Sequence, residues 1–157
     1  VIGVASLRLA LLTLLAAACG NGGAGATFNG TVKGQALQPV DAISSPATVT
    51  IGGAGTAAVL AISLSDATRL CSKLGTNVQP AGAKALLLFL SDVNLSTGSL
   101  TVPTGTGVYT VYLLGQGIPP AHAVVAAFGA NDAACKASSV SANAGSVTLT
   151  SNSGGAT

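Results

Sequence analysis

Few residues in this 157-residue chain could do chemistry, so each one can be weighed. His122 is the only histidine, which excludes a multi-histidine metal site and makes any Ser–His–Asp triad depend on that one ring. It follows Pro119 and Pro120 at the start of a strand-like run, where a solvated imidazole is the plain expectation. The four acids, Asp41, Asp66, Asp92 and Asp132, show no D-x-D spacing, so calcium has no support. Asp92 and Asp132, among Ser, Asn and Gly, are expected to form turns. Gly53, Gly55 and Ala58 after Val49-Thr50-Ile51 match G-x-G-x-x-A, a pattern that brings backbone N–H groups to a pyrophosphate. The acid needed about 20 positions later is missing, since Asp66 comes too early and the place falls near Lys73. A glycine turn between two strands is the better expectation, and no cofactor is expected.

The remaining chemistry lies in three cysteines, Cys19, Cys71 and Cys135. Cys19 ends the stretch Leu7 to Gly25, LRLALLTLLAAACGNGGAG. An export signal needs a positive start, an apolar run of about 7–15 residues and small residues before the cut. Arg8, the run Leu9 to Leu15, and Ala16, Ala17 and Ala18 supply these in order. The run falls short of the roughly 20 apolar residues that a helix needs to cross a bilayer. A signal helix over residues 1–18, removed between Ala18 and Cys19, is therefore expected.

The segment Ala16-Ala17-Ala18-Cys19 resembles the lipobox of bacterial lipoproteins. The family usually has Leu three places before the cysteine; here Ala16 stands there and Leu15 one place upstream. The resemblance implies acylation of Cys19 and attachment to the membrane through its acyl chains. Each buried methylene contributes about 0.8 kcal/mol, and two or more chains hold where one exchanges. An Asp after the cysteine often retains such proteins at the inner membrane; Gly20 in that place implies a Gram-negative outer-membrane address. Ala16-Ala17-Ala18 also fits an ordinary signal peptidase, which would release a soluble secreted β-domain starting at an unmodified Cys19.

With Cys19 acylated, Cys71 and Cys135 remain as an even pair in an oxidising compartment. A bridge between them would close a loop of about 65 residues, a stabilisation of about 4 kcal/mol by chain entropy. The rival is a buried Cys71 thiol, with Cys135 exposed or paired to a cysteine lost from the C-terminal end. Two sequons, Asn29-Gly30-Thr31 and Asn94-Leu95-Ser96, are incidental on the lipoprotein reading.

These groups must be positioned by sheet. Charged residues are 6% of the chain, against roughly 25% in ordinary soluble domains. No basic stripe exists to neutralise phosphates, so nucleic acid is not an expected partner. Hydrophobic residues make up 49%, the reverse of a disordered composition. Val, Thr, Gly and Ser abound while Glu and Met are absent, a composition that favours strands.

After the signal, residues 19–26 form a Gly-rich tether and residues 27–157 a single β-rich domain. Strands are expected over 27–33, 48–51, 56–65, 83–90, 100–102, 108–114, 122–128 and 146–150. The run 83–90, AKALLLFL, is the expected centre. Gln35 to Ile43, which holds Pro39, reads as an edge segment or loop. Gly129 to Ser139 reads as a polar loop carrying Cys135. One short helix is expected over 66–74, with Asp66 capping it, Ala67, Leu70, Cys71 and Leu74 on one face, and Gly75 ending it. Short strands separated by Gly and Pro turns point to a small antiparallel β-sandwich, Ig-like or barrel-like. Val1 in place of Met suggests a GTG start or a start upstream, and the chain ends on a strand and turn without a return strand, as a truncated domain or an open edge would.

The function classes that follow are three. A non-enzymatic envelope lipoprotein binding another protein or a glycan fits best; a carrier of a lipophilic ligand is the alternative; a hydrolase would rest on His122.

Overall fold

A computed structural model of the chain describes residues 31–32, 35–51, 55–69 and 80–152. These residues form ten strands: β1 (Thr31–Val32), β2 (Gln35–Ala36), β3 (Asp41–Ile51), β4 (Gly55–Ser65), β5 (Lys84–Val93), β6 (Leu100–Thr101), β7 (Gly107–Val111), β8 (His122–Asn131), β9 (Ala137–Ser141) and β10 (Ser146–Leu149). The protein is mainly β. Strands β1 and β2 make a two-stranded ribbon, and the other eight form one open sheet ordered β10-β7-β8-β5-β4-β3, with β6 beside β5 and β9 beside β8.

The apolar run expected at the centre is there. β5 lies between β4 and β8 and pairs antiparallel with both. Because side chains alternate across a strand, Leu86, Leu88 and Leu90 share one face with Leu60, Ile62 and Leu64 of β4 and with Val124, Ala126 and Phe128 of β8. That face is the core, closed over by Leu37 and Tyr109 and flanked by Val147 and Leu149. Leu90 and Val124, directly opposite each other, are fully buried at its centre. On the other face Ala57, Val59, Ala61, Ser45, Ser63 and Ser65 are buried, with Leu87 and Phe89 of β5 half-buried beside them.

One pair departs from the antiparallel expectation: β7 runs parallel to β8. A parallel pair normally needs a crossover of a dozen or more residues, because the chain must return the length of the strand. Here only Thr110↔Ala123 and Val111↔Val124 overlap, so the short loop from Tyr112 to Ala121 suffices.

The end of the expected edge segment or loop, 41–43, and the expected short strand 48–51 are joined through Pro46 into one strand, β3, while Gln35–Ala36 form β2. Hydrogen bonds from Asp66 N to Lys84 O (3.2 Å) and from Asn131 N to Ala83 O (2.9 Å) set the alternation across the sheet. Even-numbered residues of β4 and β5 bond each other, so odd-numbered residues of β4 and β3 do the same. Pro46 therefore sits where its missing N–H would point off the edge, a place where a strand tolerates proline.

Other expectations change at their ends. β8 extends to Asn131 and β9 occupies part of the expected 129–139 loop. The helix expected over 66–74 does not begin at its cap. Asp66 Oδ1 accepts the Lys84 N–H at 2.7 Å, Asp66–Thr68 is a bend, and Arg69 has φ +62°, outside the right-handed helical region. Residues 70–74, with Cys71, lie outside the described residues.

Candidate functional site

The core ladder Leu86–Phe128, Leu88–Ala126, Leu90–Val124 continues in phase to one further pair, Asp92–His122. The alternation that buries the leucines thus puts a carboxylate and an imidazole side by side at the end of the core face. The parallel register of β7, carried back two residues from Val111↔Val124, brings Tyr109 level with His122. Its ring meets the imidazole edge to face, centroids 5.3 Å apart at 63°.

Asp92 Oδ1 holds both neighbours. The Tyr109 hydroxyl donates to it at 3.0 Å, and His122 Nδ1 lies 2.8 Å away. A carboxylate only accepts, so the bond places a proton on Nδ1. Exposure falls across the trio: the His122 side chain is 54% accessible, Asp92 27%, and Tyr109 as a residue 1%. Burial, and then the hydrogen bond and negative charge of Asp92, push the Tyr109 hydroxyl up to about 12.

Chemically this is an oriented imidazole with Nε2 turned away from its carboxylate, half of a catalytic relay. Among the described residues no hydroxyl or thiol hydrogen-bonds to His122, so the nucleophile that would complete a triad is not supplied there. No group of three or more His, Cys, Asp or Glu that could hold a metal occurs among the described residues. What the geometry does is tie β5, β7 and β8 together at one end.

Asp92 is therefore a strand residue and not a turn former, and the solvated imidazole has a partner. Tyr109 was not a candidate at all. The signal was present in the spacing Leu86-x-Leu88-x-Leu90-x-Asp92, which keeps the carboxylate in phase with the core. Asp132 does form a turn: its Oδ1 accepts from Ala134 N at 2.8 Å and Lys136 N at 2.9 Å.

Ala18, Cys19 and Cys71 lie outside the described residues. Cys135 is exposed in the Asp132 turn with φ +60°, and no disulfide is present among the described residues. The residues of the G-x-G-x-x-A pattern do not lead into a helix. Gly53 lies outside the described residues, Gly55 opens β4, and Ala58 pairs antiparallel with Thr48, so a paired strand stands where a dinucleotide site needs a helix.

The two ends of the sheet differ. Lys84 Nζ reaches Ala36 O at 3.4 Å, which puts the entering ribbon β1–β2 at the Lys84 end of β5. Asp92 and His122 stand at the other end, about 26 Å away at strand rise. No helix among the described residues is long and apolar enough to cross a membrane. Comparison with protein-family models, with curated proteins and with solved structures finds no match to this chain.

Proposed function

We propose that the chain is an exported lipoprotein whose β-domain serves the cell envelope as a non-enzymatic structural or binding module, held to the outer membrane by acyl chains on Cys19. The observation that carries this reading is the ordered run Arg8, Leu9–Leu15, Ala16–Ala18, Cys19. The first strand among the described residues starts twelve residues after Cys19, room for the Gly-rich tether 19–26. The non-enzymatic part is supported by Asp92, whose Oδ1 is engaged by both Tyr109 and His122 as a structural tie.

The same proposal gives the domain a direction. The entering ribbon marks the membrane-proximal end, and the His122 end, with the 94–99 and 112–121 loops, faces away toward a protein or glycan partner. Oxidation in that compartment joins Cys71 to Cys135. At the level of fold, the sheet curls toward a barrel-like sandwich, favoured by one core cluster against which Ala42 of β3 and, from the opposite margin, Val147 and Leu149 of β10 pack.

Detergent phase separation tests the anchor. The wild-type chain enters the detergent phase and Cys19→Ser stays in the aqueous phase; equal partition of the two contradicts acylation.

A further inference from the structure

We infer that Asn94 is an acceptor for an N-linked glycan. The inference rests on export of the domain, because the glycan donors of this chemistry are lipid-diphosphate-linked sugars used on the far side of the exporting membrane.

The sequon Asn94-Leu95-Ser96 is incidental as a string of letters; the structure gives it a context. It opens the loop between β5 and β6, and Asn94, Leu95, Ser96, Thr97, Gly98 and Ser99 are all exposed. The loop is pinned at its base, with Asn94 N donating to Ser99 O at 2.9 Å and Gly98 N to Asn94 O at 2.7 Å. Gly98 has φ +72°, the left-handed conformation that lets the chain close the turn.

Within this loop the Asn94 side chain forms an Asx turn. Its Oδ1 accepts the N–H of Ser96 at 3.0 Å and of Thr97 at 3.2 Å. Two donors on the oxygen polarise the carboxamide and make Nδ2–H more acidic. Nδ2 itself makes no hydrogen bond among the described residues and is presented with the exposed Ser96 hydroxyl two residues on. The other sequon asparagine, Asn29, lies outside the described residues.

The reaction balances as a substitution at the anomeric carbon. Asn94 Nδ2 forms a bond to C1 of the donor sugar, the C1–O bond to the diphosphate breaks, and the lipid diphosphate leaves with the electron pair. Nδ2 gives up one proton to a base of the transferase. No oxidant or reductant takes part.

The test uses protein isolated from the cells that produce it. Trypsin releases one peptide, residues 85–136, since no Lys or Arg lies between Lys84 and Lys136. The expected result is a mass increase of whole sugar units on that peptide, localised to Asn94, lost in Asn94→Gln and Ser96→Ala and kept in Ser96→Thr. The N-terminal peptide of the same sample separates the two ideas. A chain beginning at Cys19 whose 85–136 peptide has only its bare mass overturns the glycan and leaves export standing. A chain that retains residues 1–18 and lacks the glycan overturns both.

Discussion

Asp92 and His122 face each other across the β5–β8 ladder, 2.8 Å from carboxylate Oδ1 to imidazole Nδ1, and that oxygen also accepts the buried Tyr109 hydroxyl. A single atom thus joins an exposed ring to the floor of the core. Removing different members of the trio has unequal costs. Asp92→Ala strands the buried Tyr109 hydroxyl and is expected to cost about 1–3 kcal/mol. Tyr109→Phe removes donor and hydroxyl together and costs about 1 kcal/mol. His122→Ala, at an exposed position, costs at most about 1 kcal/mol. Urea denaturation that ranks His122→Ala as the most damaging of the three would contradict this order.

The same hydroxyl sets a pH dependence. Tyr109 is pushed from about 10 to about 12 in the folded protein, so between those values the folded chain keeps a proton that the unfolded chain releases. Stability from this group is complete below about pH 10 and is lost as pH rises toward 12. Denaturation midpoints across that window should fall more in the wild type than in Tyr109→Phe. Parallel falls in the two proteins would exclude Tyr109 as the cause.

Two buried serines are expected to respond in opposite ways. Ser65 Oγ donates to Lys84 O at 2.8 Å and accepts the Ala67 N–H at 3.0 Å, so Ser65→Ala should destabilise by about 1–3 kcal/mol. Ser45 Oγ is buried with no hydrogen-bond partner among the described residues, so Ser45→Ala should be neutral or stabilising. Thermal melts of the two variants decide the matter, and a loss at Ser45 equal to that at Ser65 would refute the contrast.

Pro46 interrupts the outer edge of β3 at a position facing away from β4. An unbroken edge is a template for pairing with another chain. Pro46→Thr restores the missing donor and is expected to raise self-association without lowering stability. Sedimentation of wild type and variant over a concentration series checks this, and identical profiles would show that the proline does not guard the edge.

How much of this could be seen in the sequence depends on the range of the force involved. β4 and β5 were legible because a continuous apolar run such as Leu86–Leu90 has nowhere to go but between neighbouring strands. The Asp92–His122–Tyr109 trio was not, because it depends on the antiparallel register of β5 with β8 and the parallel register of β7 with β8, neither of which local pattern encodes. The length of β3 was hidden for a different reason: proline forbids only one hydrogen bond, and whether a strand can run through Pro46 depends on strand order. At Asp66 the capping pattern was genuine, but the Lys84 N–H competed for the same carboxylate and won.

The central claim, an exported domain anchored at Cys19, is tested most directly by the intact mass of the protein made in a Gram-negative host, with thiols labelled under denaturing, non-reducing conditions. The expected mass is that of a chain beginning at Cys19 and carrying three acyl chains, with neither Cys71 nor Cys135 labelled. An unacylated chain, or one that still carries residues 1–18, would contradict it; a label on Cys71 or Cys135 would remove the disulfide alone.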